Sequence, residues 1–159
     1  MKTYISRNIS QTRKLGIFFA KQVLKKKSPR ILALLGELGS GKTTFLQGFA
    51  KGLGVKEKVL SPTFIIMRKF DLKKNCHHSF SYFKFFYHID CYRIKKPKEI
   101  LELGFDKIIA EPRNIVAIEW ADKIKKILPK KILRLDFKFI NKKERRILIK
   151  NNEKKISNY

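Results

Sequence analysis

Residues 36–44, GELGSGKTT, hold three glycines, one lysine and two threonine hydroxyls directly after the apolar run ILALL. The spacing Gly36-x-x-x-x-Gly41-Lys42-Thr43 suits the gripping of phosphates. Backbone N–H groups can converge on phosphate oxygens only where side chains stay out of the way, so glycines supply both the turn and the close approach. The N-terminus of a following helix would add its positive dipole end. The ammonium of Lys42 would reach the outer phosphates, and the hydroxyl of Thr43 would ligate a Mg²⁺ held by them. Two fixed glycines followed by Lys and Ser or Thr arise by chance in under ~1% of chains this long.

A phosphate-bound Mg²⁺ also needs a carboxylate at the end of a neighbouring buried strand. Two residues qualify, Asp90 after FFYHI and Glu119 after IVAI. The generic pattern uses Asp, which favours Asp90; the cleaner buried parallel strand favours Glu119. Asp90 lies in H-I-D-C-Y-R, where strand alternation puts His88 and Asp90 on one face. Ser61-Pro62-Thr63-Phe64 places two hydroxyls around a proline soon after the loop, a position from which Thr63 could sense a terminal phosphate. Cys76, His77, His78, His88 and Cys91 are potential zinc ligands, but CHH adjacency is not ligand spacing and Cys91 alternates away from His88. No zinc is expected.

These groups need a scaffold of strands and helices. Residues 10–27 read as a helix, with Ser10 as N-cap, Leu15, Phe18, Phe19 and Val23 on one face and a closing lysine run. RILALL reads as a buried strand. From Lys42 onward, Leu46, Phe49, Ala50 and Leu53 repeat at helical spacing, and Gly54 stands where a C-terminal cap belongs. The loop therefore joins a strand to a helix, as its motif requires. SPTFIIMRKF and SFSYFKFFYHID read as an antiparallel pair of strands on either side of the polar DLKKNCHH. Residues 115–120, IVAIEW, are a further buried strand, and 97–103 a helix with Pro97 in its first turn. ILRLDFKFI and RRILIK around NKKE form a hairpin pattern.

At 159 residues the chain fits one domain, over residues 1–150, with a polar frayed tail at 151–159. The 43% hydrophobic content and 19 aromatics argue against disorder. A net charge of +25, from 38 Lys and Arg against 13 Asp and Glu, would suit a nucleic-acid or anionic-membrane partner. The lysine runs recur from end to end instead of crowding one element, so compositional drift explains them as well. Two cysteines without a C-x-x-C pair fit a reduced cytosolic setting. No run approaches the ~18 apolar residues of a membrane span, so the chain reads as soluble, unexported and cytoplasmic.

GELGSGKTT, SPTF, HIDCYR, the LELGF segment at 101–105 and IEWA at 118–121 occur in the order and rough spacing of one family. The chain resembles TsaE, also called YjeE, the small bacterial ATPase of tRNA threonylcarbamoyladenosine synthesis, from about Thr12-x-x-Leu15-Gly16 to the C-terminal hairpin. The resemblance implies an α/β fold: a P-loop NTPase-like sheet flanked by helices, with antiparallel hairpin additions. It implies that ATP is bound at Glu37, Leu38, Gly39, Ser40, Gly41, Lys42, Thr43 and Thr44, that Thr43 and Glu119 serve Mg²⁺, and that Lys42, Asp90 and Thr63 take part in hydrolysis. The implied partners are TsaD and TsaB, with tRNA reached through that complex and modified at adenosine 37 in tRNAs reading ANN codons; no membrane partner is implied. The segment between Phe70 and Tyr87 is longer, more basic and more aromatic than the family usually shows. Two rivals share parts of the evidence: a P-loop small-molecule kinase, which needs an arginine-bearing lid, and a non-enzymatic basic RNA-binding protein.

Overall fold

The computed structural model describes residues 2–75 and 82–151. The chain opens on a short strand, β1 (Lys2–Ser6), absent from the sequence expectations, and continues into α1 (Ile9–Leu24), β2 (Ile31–Leu35) and α2 (Lys42–Gly52). There follow β3 (Met67–Asp71), α3 (Leu72–Asn75), β4 (Phe85–Asp90), α4 (Pro97–Glu102), α5 (Phe105–Ala110) and β5 (Asn114–Glu119). A 3₁₀ segment (Ala121–Ile127) then leads to the hairpin β6 (Leu133–Phe139) and β7 (Arg145–Asn151). All seven strands join one sheet in the order β1-β7-β6-β2-β5-β4-β3. Strands β6, β2, β5 and β4 run parallel, while β3, β7 and β1 add antiparallel edges.

Alternation along the central strands divides the core in two. Leu32 and Leu34 of β2 and Ile115 and Ala117 of β5 face α1 and α2, with Phe45, Phe49 and Phe86 fully buried among them. Ile31, Ala33, Val116 and Ile118 face the other way, onto Ile100, Phe105 and Ile124 of α4, α5 and the 3₁₀ segment. A sheet covered on both faces needs apolar residues at every position, which is why ILALL and NIVAIE read as continuous runs.

Helix α1 differs from its sequence reading in two ways. Its cap is Asn8, not Ser10: the Asn8 side chain accepts from the Gln11 N–H (2.9 Å) on an extended backbone, leaving Ser10 inside the first turn. Phe18 is 53% exposed, because the buried face is centred on Thr12, Gly16, Ala20 and Val23. Small residues there let α1 lie directly on α2; a Cβ at Gly16 would stand 2.2 Å from the Phe45 carbonyl oxygen.

The SPTFIIMRKF segment also departs from expectation, since only its last part is strand. Pro62 has no N–H for a ladder, and its carbonyl accepts from both Ile65 N (2.9 Å) and Ile66 N (2.6 Å). Ile66 then adopts φ +64°, and extended pairing begins at Met67. Residues 61–66 are therefore a turn held over the strand ends. The CHH part of the polar linker, including Cys76, His77 and His78, and the tail 152–159 lie outside the described residues.

Candidate functional site

The parallel strands β2, β5 and β4 stop side by side at one edge of the sheet. In register, Leu34 of β2 pairs with Glu119, the last residue of β5, and Glu119 pairs with Asp90, the last residue of β4. Parity does the rest. His88, Asp90 and Glu119 share the side of Phe86, Ile115 and Ala117, the side covered by α2. Both carboxylates are thus delivered to the start of α2, in the crevice beyond the carboxyl ends of parallel strands where open α/β sheets bind ligands.

The loop between β2 and α2 turns on left-handed glycines. Gly36 has φ +135° and passes so close to β6 that a Cβ would sit 2.3 Å from the Phe137 carbonyl oxygen. Gly41, the residue before α2, has φ +100°. A β-carbon would be strained at both positions. Lys42 is only 4% exposed, and its Nζ donates to the carbonyls of Gly36 (2.7 Å) and Glu37 (2.8 Å) while lying 4.2 Å from the centre of the Trp120 ring. Burial pulls its ammonium below the ordinary lysine value, against the opposing pull of Glu119, Asp90 and Asp122. Ser40 is fully buried, whereas Glu37, Leu38 and Gly39 are exposed along the outer rim of the loop.

Thr43 donates its hydroxyl to the Glu119 carboxylate, with its oxygen 3.0 and 2.9 Å from Oε1 and Oε2. The same Oε1 meets His88 Nε2 at 2.8 Å. Asp90 holds a separate set of donors: Thr63 Oγ1 (2.6 Å) and Ser61 Oγ on Oδ2, and the Tyr92 N–H (2.9 Å) on Oδ1. Asp90 and Glu119 are each 2% exposed and, among the described residues, have no Lys or Arg salt bridge. Lys42, Thr43, Thr63, Asp90 and Glu119 all line one cavity of about 340 Å³. Every candidate group named from the sequence for metal or hydrolysis therefore meets in one place.

Each carboxylate and hydroxyl here presents hard oxygen, the donor type of Mg²⁺. Among the described residues no cluster of three or more His, Cys, Asp or Glu could hold a metal ion unaided. A cation bound at Thr43 and Glu119 would need further oxygens from outside the protein, and phosphates are such a source.

Some contributors escaped the sequence reading. Ser61 shares Asp90 with Thr63, yet S-P-T-F gave no sign of which strand end it would meet. Trp120 has φ +56° and lays its ring against Lys42 and, at 5.1 Å, Tyr92; its position directly after Glu119 was the available signal. His88 lies on an interior strand, since β3 lies outside β4, and Tyr92 follows the end of that strand. Arg93 does not line the cavity; its guanidinium stacks on the exposed Phe64 ring at 4.3 Å. A second cavity of about 590 Å³ reaches the other side of the loop at Gly39, Gly41 and Thr44, between Asn8 and Ile9 at the start of α1 and Arg145 of β7. A third cavity, of about 630 Å³, lies apart from these groups between Arg13, Lys51 and the 54–59 loop.

Comparison with known proteins bears on the family and the fold. The family model "Threonylcarbamoyl adenosine biosynthesis protein TsaE" matches residues 6–147. The tRNA threonylcarbamoyladenosine biosynthesis protein TsaE of Rickettsia prowazekii is 34% identical over 129 residues, covering 80% of this chain and 82% of that protein. Its counterpart in Bacillus subtilis is 36% identical over 117 residues, 74% of this chain and 66% of that protein. The crystal structure of YdiB from Bacillus subtilis superposes with a TM-score of 0.72 at 27% identity, over 96% of this chain and 86% of the other.

Proposed function

This chain belongs to the TsaE family, which serves threonylcarbamoyladenosine formation in tRNA, and we propose that it binds ATP with Mg²⁺ and hydrolyses it. The observation that carries the proposal is the convergence, on one cavity, of a glycine loop, a buried ammonium, a threonine hydroxyl and two buried carboxylates. The carboxyl groups and the ammonium would be costly to bury for packing alone.

The loop amides and Lys42 hold the phosphates. To do so the ammonium exchanges the carbonyls of Gly36 and Glu37 for phosphate oxygens, a swap that needs only rotation of a flexible stem. Thr43 and Glu119 would hold Mg²⁺, which neutralises charge on the phosphates when bound. Asp90 orients the water, and its bonds to Ser61 and Thr63 tie the 61–66 turn to that task. The base and ribose would occupy the second cavity, of about 590 Å³, beside Asn8, Ile9 and Arg145. Hydrolysis needs positioning and charge neutralisation more than covalent help from the protein.

Arg93 is engaged with Phe64 and absent from the cavity wall, so turnover by the protein alone is expected to be slow. TsaD and TsaB would complete the arrangement, and ATP hydrolysis would then support formation of threonylcarbamoyladenosine at position 37 of tRNAs reading ANN codons. The test is phosphate release from ATP by the wild type and Lys42→Ala, with and without TsaB, TsaD and tRNA. Wild type with partners should release phosphate and the variant should not. No free phosphate in any mixture would defeat the proposal, and transfer to an added metabolite would establish a kinase instead.

A further inference from the structure

We propose that His88 is a positioning residue that fixes Glu119 for the metal, an inference that rests on the Mg²⁺ site proposed above. His88 is 0% exposed and does not line the cavity, so it can act on a ligand there only through another group. That group is Glu119. The carboxylate accepts, so Nε2 donates, at 2.8 Å to Oε1. The other ring nitrogen, Nδ1, is buried without a hydrogen-bond partner among the described residues. A buried polar atom left unpaired costs free energy, and an apolar side chain of similar size would avoid that cost. The imidazole is therefore tolerated for its single bond to Glu119.

The strands explain why the bond is directional. His88 pairs with Ala117 and Asp90 with Glu119 in the parallel β4–β5 register, so His88 stands two residues behind Glu119 on the same face. It holds Oε1 from inside the sheet, while Thr43 at the mouth reaches both oxygens. A glutamate side chain has three rotatable bonds, and with only the Thr43 hydroxyl to hold it the carboxylate could swing away from the loop. Bonds behind a metal-binding group commonly change metal affinity by ~10–100-fold when removed.

The experiment is a Mg²⁺ titration of the protein with ADP present, read by the fluorescence of Trp120, the only tryptophan in the chain, which borders the cavity. Three variants are compared: His88→Gln, whose amide nitrogen can reach about as far as Nε2; His88→Leu, which fills the space without a donor; and His88→Asn, a polar side chain too short to reach. Leu and Asn should each raise the Mg²⁺ concentration at half-response by ~10–100-fold. ADP affinity without Mg²⁺ should stay unchanged, and Gln should restore the wild-type midpoint to within about threefold. If Leu misfolds, the Asn and Gln pair carries the comparison. An unchanged midpoint in folded Asn or Leu overturns the assignment of His88 alone, as does a Gln variant as defective as Leu. A wild type whose ADP complex ignores Mg²⁺ overturns the metal site itself, and the inference with it.

Discussion

Replacing Lys42 by methionine separates what the lysine does for a ligand from what it does for the fold. Its Nζ gives hydrogen bonds to two loop carbonyls and sits over Trp120 in a nearly dry site. In the proposed nucleotide complex those donors would go to phosphate oxygens. Charge-assisted bonds contribute ~1.5–3 kcal/mol each, so losing one or two costs about 3 kcal/mol, or roughly a hundredfold in ATP affinity by calorimetry. Without nucleotide, the same bonds are offset by the desolvation that lowers the lysine pKa. Lys42→Met should therefore change denaturant stability at neutral pH by no more than ~1 kcal/mol. The sign of the pH effect follows. Between the lowered folded pKa and 10.5, the unfolded chain holds more protons on this group than the native one, so its contribution to stability rises with pH. The stability difference, wild type minus variant, should grow across that alkaline window. An affinity loss below ~5-fold would show that the ammonium does not reach the phosphates. A difference that shrinks with rising pH would refute the burial argument.

Asp90→Asn replaces an acceptor of three donors by an amide whose NH₂ faces two hydroxyls. It should abolish partner-stimulated phosphate release and lower stability by ~1–3 kcal/mol, while ATP affinity stays within about threefold. Gly48→Ala tests the helix contact: its Cβ would stand 2.0 Å from the Arg13 carbonyl oxygen, so α1 must shift. The ~1 kcal/mol gained in helix propensity is outweighed by overpacking, and a net loss of about 1 kcal/mol should lower Tm by about 2–4 °C in a thermal scan. Burial pushes the Cys91 thiol up to about 12, with Asp90 and Asp122 adding to the shift. Only about one molecule in ten thousand then carries the thiolate at pH 8, so iodoacetamide should spare Cys91 until the chain is unfolded, as judged by peptide mapping.

The glycine loop, its strand and its helix were legible because their signals are local. Glycines must stand where φ is positive, and the apolar spacing of α2 continues straight from Lys42. The buried strands β2 and β5 were legible for the same reason, as was the β6–β7 hairpin around NKKE. Strand β1 left almost no trace, since a five-residue strand at the sheet edge buries only Ser6. Phe18 was misplaced because helical spacing gives a periodicity but not its phase; Gly16 fixed the phase by admitting α2.

Taken alone, the order of residues determines which groups can do chemistry here: Lys42 and Thr43 on a glycine loop, and carboxylates at the ends of strands. It could not decide between Asp90 and Glu119, which are 29 residues apart in the sequence and opposite one another in the sheet. Only the strand order could assign their surroundings. Placing β5 between β2 and β4 sets Glu119 beside Thr43 and His88, and leaves Asp90 to collect Ser61 and Thr63 from the turn beyond. Hydrogen bonds reach about 3 Å, so which side chains meet depends on packing distances that no residue spacing along the chain expresses.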